Sequence, residues 1–468
     1  MELWRIWLSL VNSFEGACSR KKTFFWLIIV LIGFTIKFDT LGVTSLARGA
    51  GIASMYYTSM LHFFTSTSVN LTLLQSLWIK TVFKNFGSSI VHINGRCILA
   101  GDGIKIGKEG KKMPGVKWLH QESDSNTKAE YIMGHSIQAL SILAKGLTTH
   151  FAIPLAAQIH EGIRFTYKDH RTLLDKMVEL LSELSLSACY LVLDKYYVSG
   201  GFMKKLISLK IHIVTMMKQG AVAYEPLVEQ KSQGRGRPKK YGKKIKLFDL
   251  FKTDLPFIKI RMPGDQNLVI EYCKKEFFWR PFGGMVQFVF TRHPKRGNAI
   301  VMSTDLTLSP SDMIFIYSLR FKIEVMFKQT VHQIGSFLYR FWLKSMSPKK
   351  RGSGDQNLQF CSKKYKQAVA KKLRSYHLFI LLGFIAHGLV QYLSIYAHEV
   401  VWKNYGTWLR TIRPNTLPSE MVVSLAMKNT YNEFLVDDEY GSIFKKFVLQ
   451  KMDPKRLRYL IPKNAEAA

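Results

Sequence analysis

The sequence predicts an α/β protein: a mixed sheet flanked by helices, interrupted by a β-rich insertion, with helical regions at both ends. Three observations carry this. Apolar residues recur at helical spacing up to about residue 88 and again from 375 to 468, without strand-like alternation. Between 89 and 220, strand and helix patterns are interleaved, the mark of an α/β sandwich. From 221 to 298, short strand candidates follow one another with turn residues between them.

In chain order, the helical region 1–88 contains Thr40 to Ile52, which reads as a helix, a glycine turn and a second helix, with Thr44 or Ser45 as a cap. That outline fits a helix-turn-helix reader of DNA as well as simple packing. The first core strand is Ile98–Ile106, the second Tyr131–Leu143 and the third His150–Ile159. Residues 169–186 have helical periodicity. The continuous apolar run Cys189–Leu193 predicts a strand covered on both faces. A helix at Gly200–Ser208 and a strand at Ile211–Met217 follow. The insertion holds strand candidates Lys244–Phe251, Phe257–Met262, Leu268–Cys273 and Met285–Thr291. Residues 299–374 return to the core with a buried strand, Ala299–Thr304, a helix carrying Glu324, and a basic, polar stretch from Lys344 to Arg374.

Charge narrows the function. With 67 Lys and Arg against 33 Asp and Glu, the formal net charge is +34. Such a chain repels itself unless it meets a polyanion, which points to nucleic acid ahead of a membrane surface. The 47% hydrophobic content excludes global disorder. Five scattered cysteines (Cys18, Cys97, Cys189, Cys273, Cys361) lack any C-x-x-C pair, so they predict a reducing compartment with no disulfide framework or zinc knuckle. Phe24–Phe34 is too short to span a bilayer. Leu378–Tyr396 is long enough but carries His387 and Gln391, and both runs read as buried helices. A cytoplasmic protein is the default expectation.

Three carboxylates stand out on this basic background. Asp102 follows the apolar run Cys97–Gly101, Asp194 closes Ala188–Leu193, and Glu324 lies on the helix that includes Tyr317 and Arg320. A carboxylate at the end of a buried strand is costly unless it is paired or ligates a cation. Three that converge can hold divalent ions for phosphodiester chemistry. The bland alternatives are a turn at Gly101-Asp102-Gly103 and a helical pair of Glu324 with Lys328.

The ordered pieces resemble the DDE transposases of bacterial insertion sequences that carry a β-rich insertion. They are Ala100-Gly101-Asp102, Lys111-Lys112-Met113-Pro114-Gly115-Val116, Gly134-His135-Ser136, Ile153-Pro154-Leu155 and Leu191-Val192-Leu193-Asp194. Ser303-Thr304-Asp305 then leads to Tyr317-x2-Arg320-x3-Glu324, which matches the first three members of a Y-R-E-K signature. Val331 stands where the signature Lys is expected, and Lys328, one turn after Glu324, is the substitute candidate. The resemblance implies a ribonuclease-H-like catalytic core. It also implies Asp102, Asp194 and Glu324 as catalytic ligands of Mg2+, with Mn2+ as a replacement, and Tyr317, Arg320 and Lys328 on a DNA phosphate. The implied activity is that of a bacterial, nucleoid-associated enzyme acting as a homodimer on paired ends. Water cuts at terminal inverted repeats, and the freed 3′ hydroxyl attacks target DNA. A catalytically inactive or domesticated DNA-binding descendant is the alternative.

Other segments suit DNA contact. Residues 231–246 are strongly basic, and Arg235-Gly236-Arg237-Pro238 resembles an AT-hook core fit for a narrow minor groove, with Lys239 and Lys240 beside it. Lys349-Lys350-Arg351 and the lysines at 363, 364 and 366 form a second patch for backbone phosphates. His135 is a further candidate near the site, and Trp279 for stacking on a flipped base; for both, a place in the core is the competing expectation.

Overall fold

The computed structural model describes residues 1–121, 129–186, 188–227, 240–262, 265–406, 413, 415–437 and 442–460. Along the chain, helices α1 (Glu2–Val11), α2 (Lys21–Ile36), α3 (Val43–Gly49), α4 (Tyr57–Thr65) and α5 (Leu71–Asn85) come first. Strands β1 (His92–Ile93), β2 (Arg96–Gly107), β3 (Lys117–His120), β4 (Tyr131–Lys145), β5 (His150–Ile159) and β6 (Ile163–Arg164) follow. Then come α6 (Leu173–Glu183), β7 (Cys189–Leu193), α7 (Gly200–Ser208) and β8 (Ile211–Met216). The insertion supplies β9 (Val222–Tyr224), β10 (Lys244–Lys246), β11 (Ile258–Met262), β12 (Asp265–Trp279) and β13 (Gly284–His293), and the return to the core supplies β14 (Gly297–Ser303). After it come α8 (Pro310–Ser318), α9 (Phe321–Gln329), β15 (Gln356–Asn357), the 34-residue α10 (Lys363–Tyr396) and five short helices from His398 to Leu460.

The chain divides into two compact units. The first comprises Met1–Ile90, Gly103–His170 and Val325–Ala468; the second comprises Val91–Asp102 and Arg171–Glu324. Strand β2 contributes Arg96–Asp102 to the second and Gly103–Gly107 to the first.

In the second unit β2, β7 and β8 are parallel neighbours. All five residues of β7 are buried, as its unbroken apolar run requires. The insertion does not stand apart here: the core strand β14 pairs antiparallel with β8, and the insertion joins on through β13 against β14 and β12 against β13. Helix α6 opens with a reciprocal capping box between Thr172 and Asp175, and α8 with the Ser309 cap and Pro310 at its first position.

In the first unit β4 pairs antiparallel with β3 and β5 and lies beside the end of β2. A Cβ at Gly134 would collide with the Ile106 carbonyl oxygen, so this approach requires glycine. Parallel β2, β7 and β8 with antiparallel partners in the second unit, and antiparallel β3, β4 and β5 in the first, make the strand pairing mixed, as the sequence predicts. Helix α10 packs along β5 and against α2 and α12 (Glu420–Asn429). It is the one described helix long and apolar enough to cross a membrane, yet 89% of that apolar stretch is buried inside the protein. Helix α2 is apolar on every side and buried on every side from Phe24 to Ile36.

Several expectations need correction. Thr40 to Ile52 forms one helix, α3, with Gly42 rather than Thr44 or Ser45 as its cap; it packs on α2, and Ser45 turns inward to Asp39. A reading helix must be exposed, and five of the seven α3 residues are buried. Within 244–251 only Lys244–Lys246 is a strand. Leu247-Phe248-x-Leu250-Phe251 has helical spacing and forms a 3-10 turn that buries Leu247. Strand β12 runs well past Cys273, because Lys274 and Glu276 pair with each other on one face at 3.0 Å. The single helix expected around Glu324 is two. Backbone bonds shift to i→i+3 spacing across Leu319–Ile323, with no Gly or Pro to announce it, and α9 gives way to a π turn at Thr330–Ile334 that contains Val331.

Candidate active site

Asp102 and Asp194 are aligned by strand register. Cα partners run from Cys97 with Cys189 to Ala100 with Val192 on parallel β2 and β7. Two residues further along, that register brings Asp102 level with Asp194, whose backbone is still extended (φ −73, ψ 162). Side chains alternate with period two and neighbouring strands lie about 4.8 Å apart, so both carboxylates leave the same face side by side.

Glu324 joins them through Arg320. One guanidinium nitrogen lies 3.4 Å from Asp102 Oδ2 and the other 2.5 Å from Glu324 Oε1. The turn between α8 and α9 places Arg320 there, one helical turn before Glu324. Its side chain is 19% exposed, against 55% for Glu324. Burial opposes the Arg320 charge, but Glu324, Tyr317 and Asp102 together outweigh it and raise its pKa. Burial likewise lifts the Tyr317 hydroxyl above its ordinary pKa; Asp194 and Glu324 add to the rise while Arg320 opposes it. Tyr317 and Arg320 therefore carry the electrostatic links to the three acids within the second unit. Lys328 is exposed near the end of α9, on the same helical face as Glu324.

Among the described residues no group of three His, Cys, Asp or Glu stands close enough to hold a metal ion. The register sets Asp102 level with Asp194, while the Glu324 carboxylate is drawn to Arg320. The donor set still fits a hard divalent cation. It offers carboxylate oxygens alone, and a cation, the Arg320 guanidinium, already lies against two of the three acids.

Two candidates prove to be core residues. His135 is fully buried, with Nδ1 2.7 Å from the Tyr339 hydroxyl and Nε2 3.0 Å from the Pro114 carbonyl oxygen. Burial, reinforced by Lys108, pushes its pKa down to about 3, so it stays neutral and structural. Trp279 closes the β12–β13 hairpin opposite Gly284 and is 5% exposed, which leaves no ring face for a base. Lys349 also differs from expectation: its ammonium donates to the carbonyls of Val116 and Gly354 at 2.7 Å, tying down its own loop. Arg235, Arg237 and Lys239 lie outside the described residues, and Lys240 is exposed.

The sequence signals missed an aromatic, cationic groove in the first unit that holds Trp118, Tyr131 and Trp342. These residues are far apart in the chain and share no periodic pattern.

Two carboxylates level on parallel neighbours, with a third on a following helix, make a layout suited to metal-assisted phosphoryl transfer. The family model described as Transposase DDE domain matches residues 105–342, just over half of the 468 residues, and the chain belongs to that family. Asp194 and Glu324 lie inside the match; Asp102 stands three residues before it, so its place rests on the register with Asp194. No curated protein matches the chain. Seven solved chains do. One is a piggyBac transposase synaptic complex with hairpin DNA determined by cryo-EM, 13% identical, covering 97% of this chain and 84% of its own, with a TM-score of 0.35. A likeness of that degree transfers neither residues nor activity.

Proposed function

We propose that this chain is a metal-dependent DNA transposase that binds the terminal inverted repeats of a bacterial insertion sequence, cleaves there, and joins the 3′ ends to target DNA. The observation that carries the proposal is the level placement of Asp102 and Asp194 on parallel strands, with Glu324 tied in through Arg320. Asp102, Asp194 and Glu324 would hold Mg2+ or Mn2+, Glu324 after its side chain leaves Arg320. A divalent ion so held activates the attacking oxygen and stabilises the leaving one. Arg320, released from Glu324, and Tyr317 would bind a phosphate of the DNA end, with Lys328 as the third contact. The surplus of positive charge draws the polyanion in and holds two ends on a homodimer. No residue of this set needs to form a covalent bond to DNA.

A second reading, a DNA-binding descendant without catalysis, draws on Val331 in the π turn where the signature lysine is expected. Incubating the purified protein with a duplex of its own flanking repeat and Mg2+ or Mn2+ separates the two. Cleavage that disappears in Asp194→Asn while binding persists supports the transposase. Binding without cleavage in the wild type supports the second reading.

A further inference from the structure

The first unit holds a groove of about 940 Å3, at the upper end of the about 300–1,000 Å3 typical of ligand pockets. Five cationic residues line it against one carboxylate, Glu109. Its aromatic content is unusual for an exposed surface. Trp118 and Tyr131 stack in parallel, with centroids 5.5 Å apart and planes 4° from coplanar, and the Arg351 guanidinium lies 5.4 Å from the Trp118 ring centre. Trp342 stands in the same groove with 72% of its surface exposed. It is held there by rigid backbone: Leu343 N–H donates to the Lys112 carbonyl and Lys349 N–H to the Lys111 carbonyl, both at 2.8 Å. An indole left in water on a fixed frame, ringed by the exposed cations Lys111, Arg340 and Arg351, is the reverse of what core packing would select.

From this arrangement we propose that the groove binds unpaired nucleotides of single-stranded DNA, with a base against Trp342 and the Tyr131 edge of the stacked wall and phosphates on Lys111, Arg340 and Arg351. The inference rests on the reading of the chain as a DNA-binding enzyme. Charge selects a polyanion, and ring geometry selects among polyanions. In duplex DNA the base faces are hidden in the helical stack, so an exposed indole face has a partner only where bases are unpaired. Distortion or opening of a duplex during strand transfer would supply such nucleotides. Lys108 adds a responsive charge at the groove floor. It is half-buried, with its ammonium 3.7 Å from the centre of the Tyr339 ring; its pKa is lowered to about 7 by desolvation and by Arg340, and a nearby phosphate would favour its protonated form.

The test uses the full chain and two probes: a fluorescein-labelled oligo(dT) of about eight nucleotides and a blunt duplex, each titrated by anisotropy. Trp342→Ala should weaken oligo(dT) binding by about 10–100-fold and leave duplex binding within about twofold. Trp342→Phe should restore most of the loss, because the phenyl ring also stacks. Trp342 is largely exposed, so neither change opens the core, and unchanged thermal unfolding verifies this. If wild type and Trp342→Ala bind oligo(dT) equally while both bind duplex, the groove proposal fails and the DNA reading stands. If wild type binds neither probe, the DNA reading fails with it.

Discussion

The two ends of strand β7 place acids in opposite circumstances. At its start, Asp305 is 7% exposed and fully served: the Tyr190 hydroxyl donates to it at 2.7 Å, and Thr307 donates through its backbone N–H at 2.9 Å and its hydroxyl at 2.7 Å. Burial alone would raise the Asp305 carboxyl, but these hydrogen bonds outweigh it and hold its pKa below the ordinary value. At the other end, Asp102 and Asp194 stand level on neighbouring strands, and Asp102 shares one guanidinium with Glu324. Neutral donors complete the first site. The second brings like charges beside the Arg320 guanidinium, which suits the recruitment of a further cation. An acid answered by O–H and N–H groups is suited to holding the fold, and acids gathered at one strand end are suited to binding a further cation.

The largest expected effect tests the difference directly. Asp194→Asn, Asp102→Asn or Glu324→Gln should each lower metal-dependent DNA cleavage by about a thousandfold, roughly 4 kcal/mol in the barrier. Thermal unfolding should be little changed. Cleavage at the wild-type rate by any of the three would remove that residue from the site. Asp305→Asn should do the reverse, costing about 1.5–3 kcal/mol of stability in denaturant titration and sparing the cleavage rate per folded molecule. A stable Asp305→Asn with lost cleavage would erase the contrast between the two ends.

A smaller effect concerns Arg320. Without its guanidinium, Asp102 and Glu324 would bind Mn2+ more readily in the absence of DNA, by about fivefold, or about 1 kcal/mol of Coulomb repulsion removed. Electron paramagnetic resonance titration of Arg320→Gln measures this, and an unchanged affinity would mean that the guanidinium does not compete for the cation position.

The remaining effects lie in pH. Asp305 has its folded pKa depressed, so it stabilises the protein above the unfolded value of about 3.9 and loses that contribution as pH falls through the folded value. Asp305→Asn should therefore unfold with a shallower acid limb below about pH 4. His135 acts at higher pH. The fold keeps it neutral down to about 3, whereas the unfolded chain takes up the proton below about 6.5. Stability should then fall with pH through that window, by up to about 1.4 kcal/mol per pH unit, and His135→Gln should flatten the slope.

Much of this was legible in local pattern. The chain alone identified the covered strand Cys189–Leu193, the strand His150–Ile159 and the helix Gly200–Ser208 at their observed limits. It also flagged the acids Asp102, Asp194 and Glu324, because hydrophobic periodicity and strand-end carboxylates are properties of neighbouring residues. It carried the periodicity across Leu319–Arg320 without a break, since no Gly or Pro stands there, and it offered Trp279 and His135 as candidates because burial is not written in a residue's name. Tertiary structure decided those points. Only the pairing of β2 with β7 makes Asp102 and Asp194 level, and only the turn between α8 and α9 lays Arg320 against two carboxylates. Segments distant in the chain bring Trp118, Tyr131 and Trp342 into one groove. Charge, strand identity and acid spacing are local quantities summed along a chain. Register, burial and convergence are set by contacts between residues far apart in it, and they exist once the sheet has formed.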